Sequence, residues 1–163
     1  MTSMPRGGAA DVNAAVRRRR AVAAAGAVSV GLLVLSACSK PTPLSTITVG
    51  RSSVSSEAGC YNDGNAVKTS DLSKCAKSGK SIKVDPDDTV RFGVDPKIAD
   101  SGWTILMNGQ PLTDSSNKTY RTIPGSVFFN AQYGATGNST QIAIKEGDKE
   151  VKGVWSFTLK KAS

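Results

Sequence analysis

The residues that could carry chemistry are few, and one important type is missing. The chain has 163 residues and contains no histidine. Catalytic triads with an imidazole base and zinc sites with imidazole ligands are therefore excluded. A cysteine-type wall transpeptidase would also need a histidine beside its nucleophile. None of these chemistries fits the sequence.

One serine and one lysine have the spacing of a serine acyl-transfer site. Ser115 and Lys118 fit the Ser-x-x-Lys pattern, and Lys77-Ser78-Gly79 is similar to the Lys-Thr-Gly element of penicillin-binding proteins. Those families place Ser-x-x-Lys first in the chain, on a helix of a much larger α/β domain. Here the order is reversed and Ser115 falls in a predicted loop. We predict no catalytic residue and expect the chain not to be an enzyme.

Several carboxylates lie close together in the middle of the chain. They are Asp85, Asp87, Asp88, Asp95 and Asp100. Clustered carboxylates can bind calcium, but the EF-hand spacing with its glycine and terminal glutamate is absent. Asp-Pro and Asp-Asp also favour turns. The sequence favours turn chemistry and no metal or other cofactor, and a ligand or metal bound by this stretch stays as an alternative.

The amino-terminal segment has the pattern of an export signal that ends in a modifiable cysteine. The basic block Arg17–Arg20 precedes 14 residues, 21–34, that are all Ala, Val, Gly, Leu or Ser. A basic region, a short apolar region and small residues are typical of a secretory signal, and the run is short for a membrane-spanning helix. Leu35-Ser36-Ala37-Cys38 also resembles the bacterial lipobox. The resemblance implies cleavage before Cys38 and a diacylglyceryl group on its sulfur.

This pattern divides the chain into a lipoprotein signal peptide (1–37), a short tether (38–43) and a domain (44–163). An ordinary secretory signal and an uncleaved anchor are the alternatives. The expected location is the extracytoplasmic face of the cell membrane, where Cys38 is the anchor. The mature part keeps 16 basic and 12 acidic residues, a net charge of +4. That mild charge and the export signal argue against a nucleic-acid partner.

Two cysteines remain in the exported domain. An exported domain with exactly this pair, Cys60 and Cys75, is expected to form one disulfide. Closing a loop of about 15 residues stabilises a fold by roughly 3 kcal/mol in the chain-entropy model. Free or metal-binding thiols are the alternative, but two thiols without histidine are too few for a structural zinc site.

The domain has the residue pattern of a mainly β fold. Short segments of alternating apolar and polar residues are separated by turn signals, with Asn108-Gly109 the strongest hairpin signal. We expect strands at 45–49, 51–58, 81–84, 89–94, 103–107, 110–113, 119–123, 140–145 and 151–159. This pattern predicts an antiparallel, immunoglobulin-like sandwich, preceded by the signal-peptide helix; a β-barrel is the alternative.

One short helix is expected within the domain. Ser70 can cap a helix over 70–77 that carries Cys75, and Asp85-Pro86-Asp87-Asp88 should turn strand 81–84 back into strand 89–94.

Loops supply the candidate binding residues. Loop 95–102 with Asp95 and Asp100, the adjoining Trp103, and Tyr133 in loop 130–139 are the tentative binding positions. Trp103 is also a candidate for the core, because aromatic residues at strand spacing are more often buried.

Several short motifs together resemble a family of small, uncharacterised lipoproteins of actinomycete bacteria. The motifs are Leu35 to Cys38, the Cys60/Cys75 pair, Val94-Asp95-Pro96, Gly102-Trp103, Asn108-Gly109, Phe128-Phe129 and Trp155-Ser156-Phe157. The resemblance implies a lipid-anchored, single-disulfide β domain and implies no particular activity.

The function expected from the sequence is that of a non-catalytic binding module of the cell envelope. Its partners would be the membrane, through the lipid on Cys38, and an envelope protein or wall polymer. An accessory lipoprotein that binds a small ligand or metal is the second hypothesis. An envelope hydrolase is the third, and it lacks a nucleophile and base pair.

Overall fold

The computed structural model describes residues 41–75 and 79–163, and Pro41–Ser163 form one compact unit. The predicted signal peptide, its helix and Cys38 lie outside the described residues. The strands are β1 (Ser45–Val49), β2 (Ser52–Ser56), β3 (Cys60–Tyr61), β4 (Lys80–Val84), β5 (Thr89–Val94), β6 (Trp103–Met107), β7 (Gln110–Pro111), β8 (Tyr120–Pro124), β9 (Ser139–Glu146) and β10 (Gly153–Lys161). The helices are α1 (Thr69–Cys75), α2 (Pro96–Asp100) and two 3₁₀ turns, Gly125–Phe129 and Ala131–Tyr133.

Two sheets form a sandwich-like arrangement around one core. The four-stranded sheet has the order β2-β1-β5-β8, and the six-stranded sheet has the order β3-β10-β9-β6-β7, with β4 also on β10. Alternating positions of each strand supply the core, because successive side chains of a strand point to opposite faces. The fully buried large side chains include Phe92, Trp103, Phe128, Trp155 and Phe157. The mainly β, largely antiparallel prediction is confirmed.

One predicted hairpin is wrong. The segment Asp85–Asp88 is a turn, but it does not return β4 onto β5. Strand β4 pairs with β10 in the six-stranded sheet, and this pairing is parallel, while β5 pairs with β1 and β8 in the other sheet. The turn therefore carries the chain from one sheet to the other. Local turn residues specify a change of direction and not the partner strand.

The helical content also differs from the prediction. The domain contains two short α-helices among the described residues, not one, because Pro96 begins a second helical turn after β5. Helix α1 begins at Thr69, so Ser70 lies inside the helix and is not its cap. The disulfide between Cys60 and Cys75 is present, with a Cα–Cα distance of 5.1 Å. It joins the end of α1 to β3. No helix within the described residues is long and apolar enough to cross a membrane.

The Asn108-Gly109 hairpin is confirmed. Both residues have positive φ, 48° and 84°, which is the geometry that favours Asn-Gly in a tight turn. The turn places β7 at the edge of the six-stranded sheet. Proline, which has no backbone N–H, is tolerated at such an edge because no further strand has to pair there.

The strand directions give the sandwich two ends with different loops. The tether end contains the start of β1 and the segments 41–44, 95–102, 112–119 and 147–152. The hairpin end contains the turns at 85–88 and 108–109, the segment 125–138 and the end of β10. The candidate sites lie at these two ends and on the outer face of the six-stranded sheet.

Candidate functional site

The segment that precedes β1 is fixed to the domain by three hydrogen bonds. The indole Nε1 of Trp155 donates to the Pro43 carbonyl at 2.8 Å. The Leu44 amide donates to Asp95 Oδ2 at 2.7 Å, and the Asp95 amide donates back to the Leu44 carbonyl at 3.0 Å. The last residues of the predicted tether are therefore part of the folded domain.

Trp155 is a large, fully buried side chain at this end of the core. Its ring lies 6.1 Å from that of Tyr61. A Cβ at Gly153 would come within 2.6 Å of the indole ring, so a larger residue there would displace Trp155. Gly153 is the register partner of both Tyr61 and Glu146, so these two side chains flank the indole.

Glu146 is a buried acid whose carboxyl group makes no well-aligned hydrogen bond among the described residues. It is the last residue of β9, on the inward face that also carries Ile142 and Ile144, and it is 0% exposed. Within the described residues, neither of its carboxyl oxygens has a hydrogen-bond partner, and the same holds for the buried hydroxyls of Tyr61 and Thr42. Buried polar atoms of this kind in folded proteins are usually satisfied by ordered water or a ligand. We call Tyr61, Lys97, Glu146 and Trp155 the tether-end cluster.

Burial is the main influence on the pKa of Glu146, and the surrounding groups act against it. Burial raises the pKa of Glu146 above its ordinary value of 4.5, while the Ser101 hydroxyl and the ammonium groups of Lys152 and Lys97 oppose the shift. The Lys97 ammonium lies 5.3 Å from the centre of the Tyr61 ring, and this neighbouring tyrosine is the main cause of a raised pKa at Lys97. The cluster thus combines an acid that resists ionisation with a cation at its mouth.

Glu146→Gln should make the domain more stable than the native protein at neutral pH. The folded state holds the Glu146 proton more tightly than the unfolded chain, so its stabilising effect is full at low pH. That effect is lost as pH rises above about 4.5 and through the raised pKa of the folded state. Glutamine keeps the shape and cannot ionise. Urea unfolding at a series of pH values should show the advantage of the variant growing with pH.

The matched control is Glu150→Gln, which changes an exposed acid four residues away. It should leave the pH dependence of stability as it is in the native protein. A difference between Glu146→Gln and native protein that stays constant from acid to neutral pH would contradict the assignment of a raised pKa.

Two of the three tentative binding residues at the tether end, Asp95 and Trp103, make structural contacts. The Asp95 carboxylate is occupied by the Leu44 amide. Trp103 is 0% exposed and its Nε1 donates to the Lys118 carbonyl at 2.7 Å. The prediction that Trp103 contacts a ligand at the surface is therefore wrong, and the alternative prediction of a core residue is confirmed. Trp103 faces inward at the start of β6. Asp100 is exposed at the end of α2.

Tyr133 lies at the opposite end of the sandwich. Its side chain is 55% exposed, in the second 3₁₀ turn. The side-chain amide of Asn108 donates to the Gly134 carbonyl at 2.9 Å and so joins this loop to the hairpin. Loops 95–102 and 130–139 therefore cannot contribute to one binding site, because the length of the strands separates them.

The acidic stretch is divided between the two ends in the same way. Asp85, Asp87 and Asp88 form the turn at the hairpin end, where Asp85 Oδ1 accepts from the Asp87 amide at 3.0 Å. Asp95 and Asp100 lie at the tether end. Among residues 41–75 and 79–163, no three acidic, cysteine or histidine side chains converge to hold a metal ion. The Ser115 hydroxyl contacts Asp148, not Lys118.

An apolar groove lies on the outer face of the six-stranded sheet. It has a volume of about 450 Å³, within the range of small-molecule sites. One wall is α1, which is held to the sheet where the Ser156 hydroxyl donates to the Cys75 carbonyl at 3.3 Å. The lining residues without a polar side chain are Leu72, Leu106, Gly109, Ile142, Ala143, Val151 and Val154, and the polar ones are Asn108, Gln141, Lys145 and Ser156. Lys145 is the one charged residue among these.

Sequence reasoning missed both Glu146 and the groove. The predicted strand 140–145 ends one residue before Glu146, although the alternation through Thr140, Ile142 and Ile144 continues to Glu146 on the inward face. The groove needs α1 to lie beside the outer face of β10, and no sequence pattern specifies that contact.

The fold and these surfaces define a small, disulfide-bonded domain of two facing β-sheets. No protein-family model, curated protein or solved structure matches the chain.

Proposed function

We propose that the protein is a lipid-anchored lipoprotein of the extracytoplasmic membrane face and that it binds an envelope component without catalysis. The apolar groove carries this proposal, because it is a concave, mostly apolar surface with a few polar groups at its margin. The disulfide supports an oxidising, extracytoplasmic environment. The lipobox-like Leu35-Ser36-Ala37-Cys38 supports the anchor.

The proposed ligand class is an acyl amphiphile with an anionic head group. Leu106, Ala143 and Val154 would contact the apolar part, and Lys145 would pair with the head group. In this proposal the ligand binds on the sheet face and not in the acidic loops, whose carboxylates lie at opposite ends of the domain.

The immunoglobulin-like type of sandwich is part of the proposal. Strands β1, β5 and β8 follow the order A-B-E, and strands β10, β9, β6 and β7 follow the order G-F-C-C′. The buried Trp103 at the start of β6 also matches the tryptophan of strand C. The position of the disulfide differs, since Cys60–Cys75 joins β3 to α1 and not the two sheets.

Leu106→Ser should weaken binding of a fluorescent fatty acid such as cis-parinaric acid to the purified domain, residues 41–163. Removing one buried leucine contact costs about 1.5–3 kcal/mol, which is about tenfold or more in Kd. Fluorescence titration measures the affinity. Lys145→Gln should weaken binding of the fatty acid, because it removes the cation that pairs with the carboxylate. It should leave binding of the matching fatty alcohol unchanged.

Tyr120→Ser is the control, because Tyr120 is 67% exposed and lies outside the groove. Its affinity should equal that of the native domain. Equal affinities for native protein and Leu106→Ser, or no binding by native protein, would refute the groove as an amphiphile site.

A further inference from the structure

We infer that the tether end of the sandwich faces the lipid bilayer and that the hairpin end points away from it. This orientation rests on the proposed lipid anchor at Cys38 and adds to it the surface that meets the membrane.

Few residues separate the proposed anchor at Cys38 from the first residues that are bonded to the domain. Pro43 and Leu44 are fixed by three hydrogen bonds to Trp155 and Asp95, and the Thr42 side chain is largely covered. From Cys38 to Pro43 a fully extended chain spans at most about 18 Å. The tether end must therefore stay within that distance of the lipid head groups.

The segment that leads to the anchor leaves the domain between the two sheets, at the start of β1. Strand β1 is an inner strand of the four-stranded sheet, between β2 and β5. Pro43, two residues before β1, is bonded to Trp155 of the other sheet. The attachment point thus lies between the two sheets and not at an outer edge. An anchor at the middle of one end favours an orientation in which the strands run away from the membrane, more than an anchor at a corner of that end would.

The surface of the tether end is compatible with a membrane interface. Tyr120 is exposed there, and tyrosine is enriched at lipid–water boundaries. Lys97, Lys118 and Lys149 are also exposed at this end and can contact anionic head groups. Asp100, Asp114, Asp148 and Glu150 are exposed at the same end and outnumber these three lysines, so the short tether, and not the net charge, sets the orientation.

The upright orientation separates the two ends by the length of the strands. Strand β10 has nine residues, so eight steps of about 3.4 Å separate its two ends by roughly 27 Å. The Tyr133 loop would then be presented far from the membrane. The groove runs along the side of the sheet and stays accessible.

Energy transfer to the membrane tests this orientation. In the full lipidated protein, single cysteines replace Lys118 or Lys149 at the tether end and Asp87 or Tyr133 at the hairpin end. All four side chains are exposed, and the native Cys60 and Cys75 are bonded to each other. Each protein carries one donor fluorophore and is reconstituted into vesicles that contain a rhodamine-labelled lipid. We expect stronger transfer from both tether-end positions than from both hairpin-end positions.

Two further variants separate the orientation from the anchor. A flexible insertion of about a dozen Gly and Ser residues between Ser39 and Lys40 should keep transfer but reduce the difference between the ends. Equal or reversed transfer in the original protein would overturn the orientation while the anchor stands. Absence of transfer at all four positions would show that the anchor itself fails, and the orientation with it.

Discussion

Replacing Cys38 with alanine should abolish incorporation of a metabolically supplied alkyne fatty acid and remove the protein from the membrane fraction. Two acyl chains anchor a protein firmly, since each buried methylene contributes about 0.8 kcal/mol. The apolar run 21–34 has 14 residues and is shorter than the about 20 that a spanning helix needs. Intact mass of the native, membrane-extracted protein should show cleavage before Cys38 and a diacylglyceryl group on it.

The double variant Cys60→Ala, Cys75→Ala is the matched cysteine control. These residues form the disulfide and take no part in the proposed anchor, so the control should keep both the label and the membrane attachment. A Cys38→Ala protein that still carries the fatty-acid label would contradict the lipidation site. One that stays in the membrane without the label would point to an uncleaved apolar anchor.

Trp155→Ala should destabilise the domain by about 3–5 kcal/mol, the cost that is usual for truncating a fully buried tryptophan. The indole packs against Tyr61 and covers Gly153, and its Nε1 holds Pro43. The truncation would leave a cavity and free the start of the chain. Urea unfolding followed by circular dichroism measures the loss.

Trp155→Phe separates the two roles of this residue. It keeps most of the burial but removes the donor to Pro43, so about 1 kcal/mol of the loss should come from the hydrogen bond. Tyr133→Ala is the surface control and should stay within about 0.5 kcal/mol of the native protein. A loss below about 1 kcal/mol for Trp155→Ala would show that the tether end is not built on this side chain.

The local pattern was sufficient for most strands. The structure has strands at 45–49, 89–94 and 103–107, with the predicted bounds. In these segments apolar residues recur at every second position, which is the period of a strand with one buried face. The Asn108-Gly109 turn and the edge position of Pro111 were also correct, since both follow from backbone conformation at one or two residues.

Pairing between distant strands was not accessible to the same reasoning. Strand β4 and the turn at 85–88 look like half of a hairpin, yet β4 joins β10 in parallel, about 75 residues later in the sequence. The hydrophobic pattern tells which face of β4 is buried and not which neighbour completes its backbone hydrogen bonds.

The sequence by itself determined the β content, the apolar faces, the tight hairpin and the cysteines available for a disulfide, because each depends on neighbouring residues or on a count. The tertiary structure alone decided which residues meet. It buried Glu146 beside Trp155 and Tyr61, occupied Asp95 with the Leu44 amide, and moved the two predicted binding loops to opposite ends. It also formed the groove between α1 and the sheet. These contacts depend on strand register and on packing between segments far apart in the chain, which no local pattern encodes.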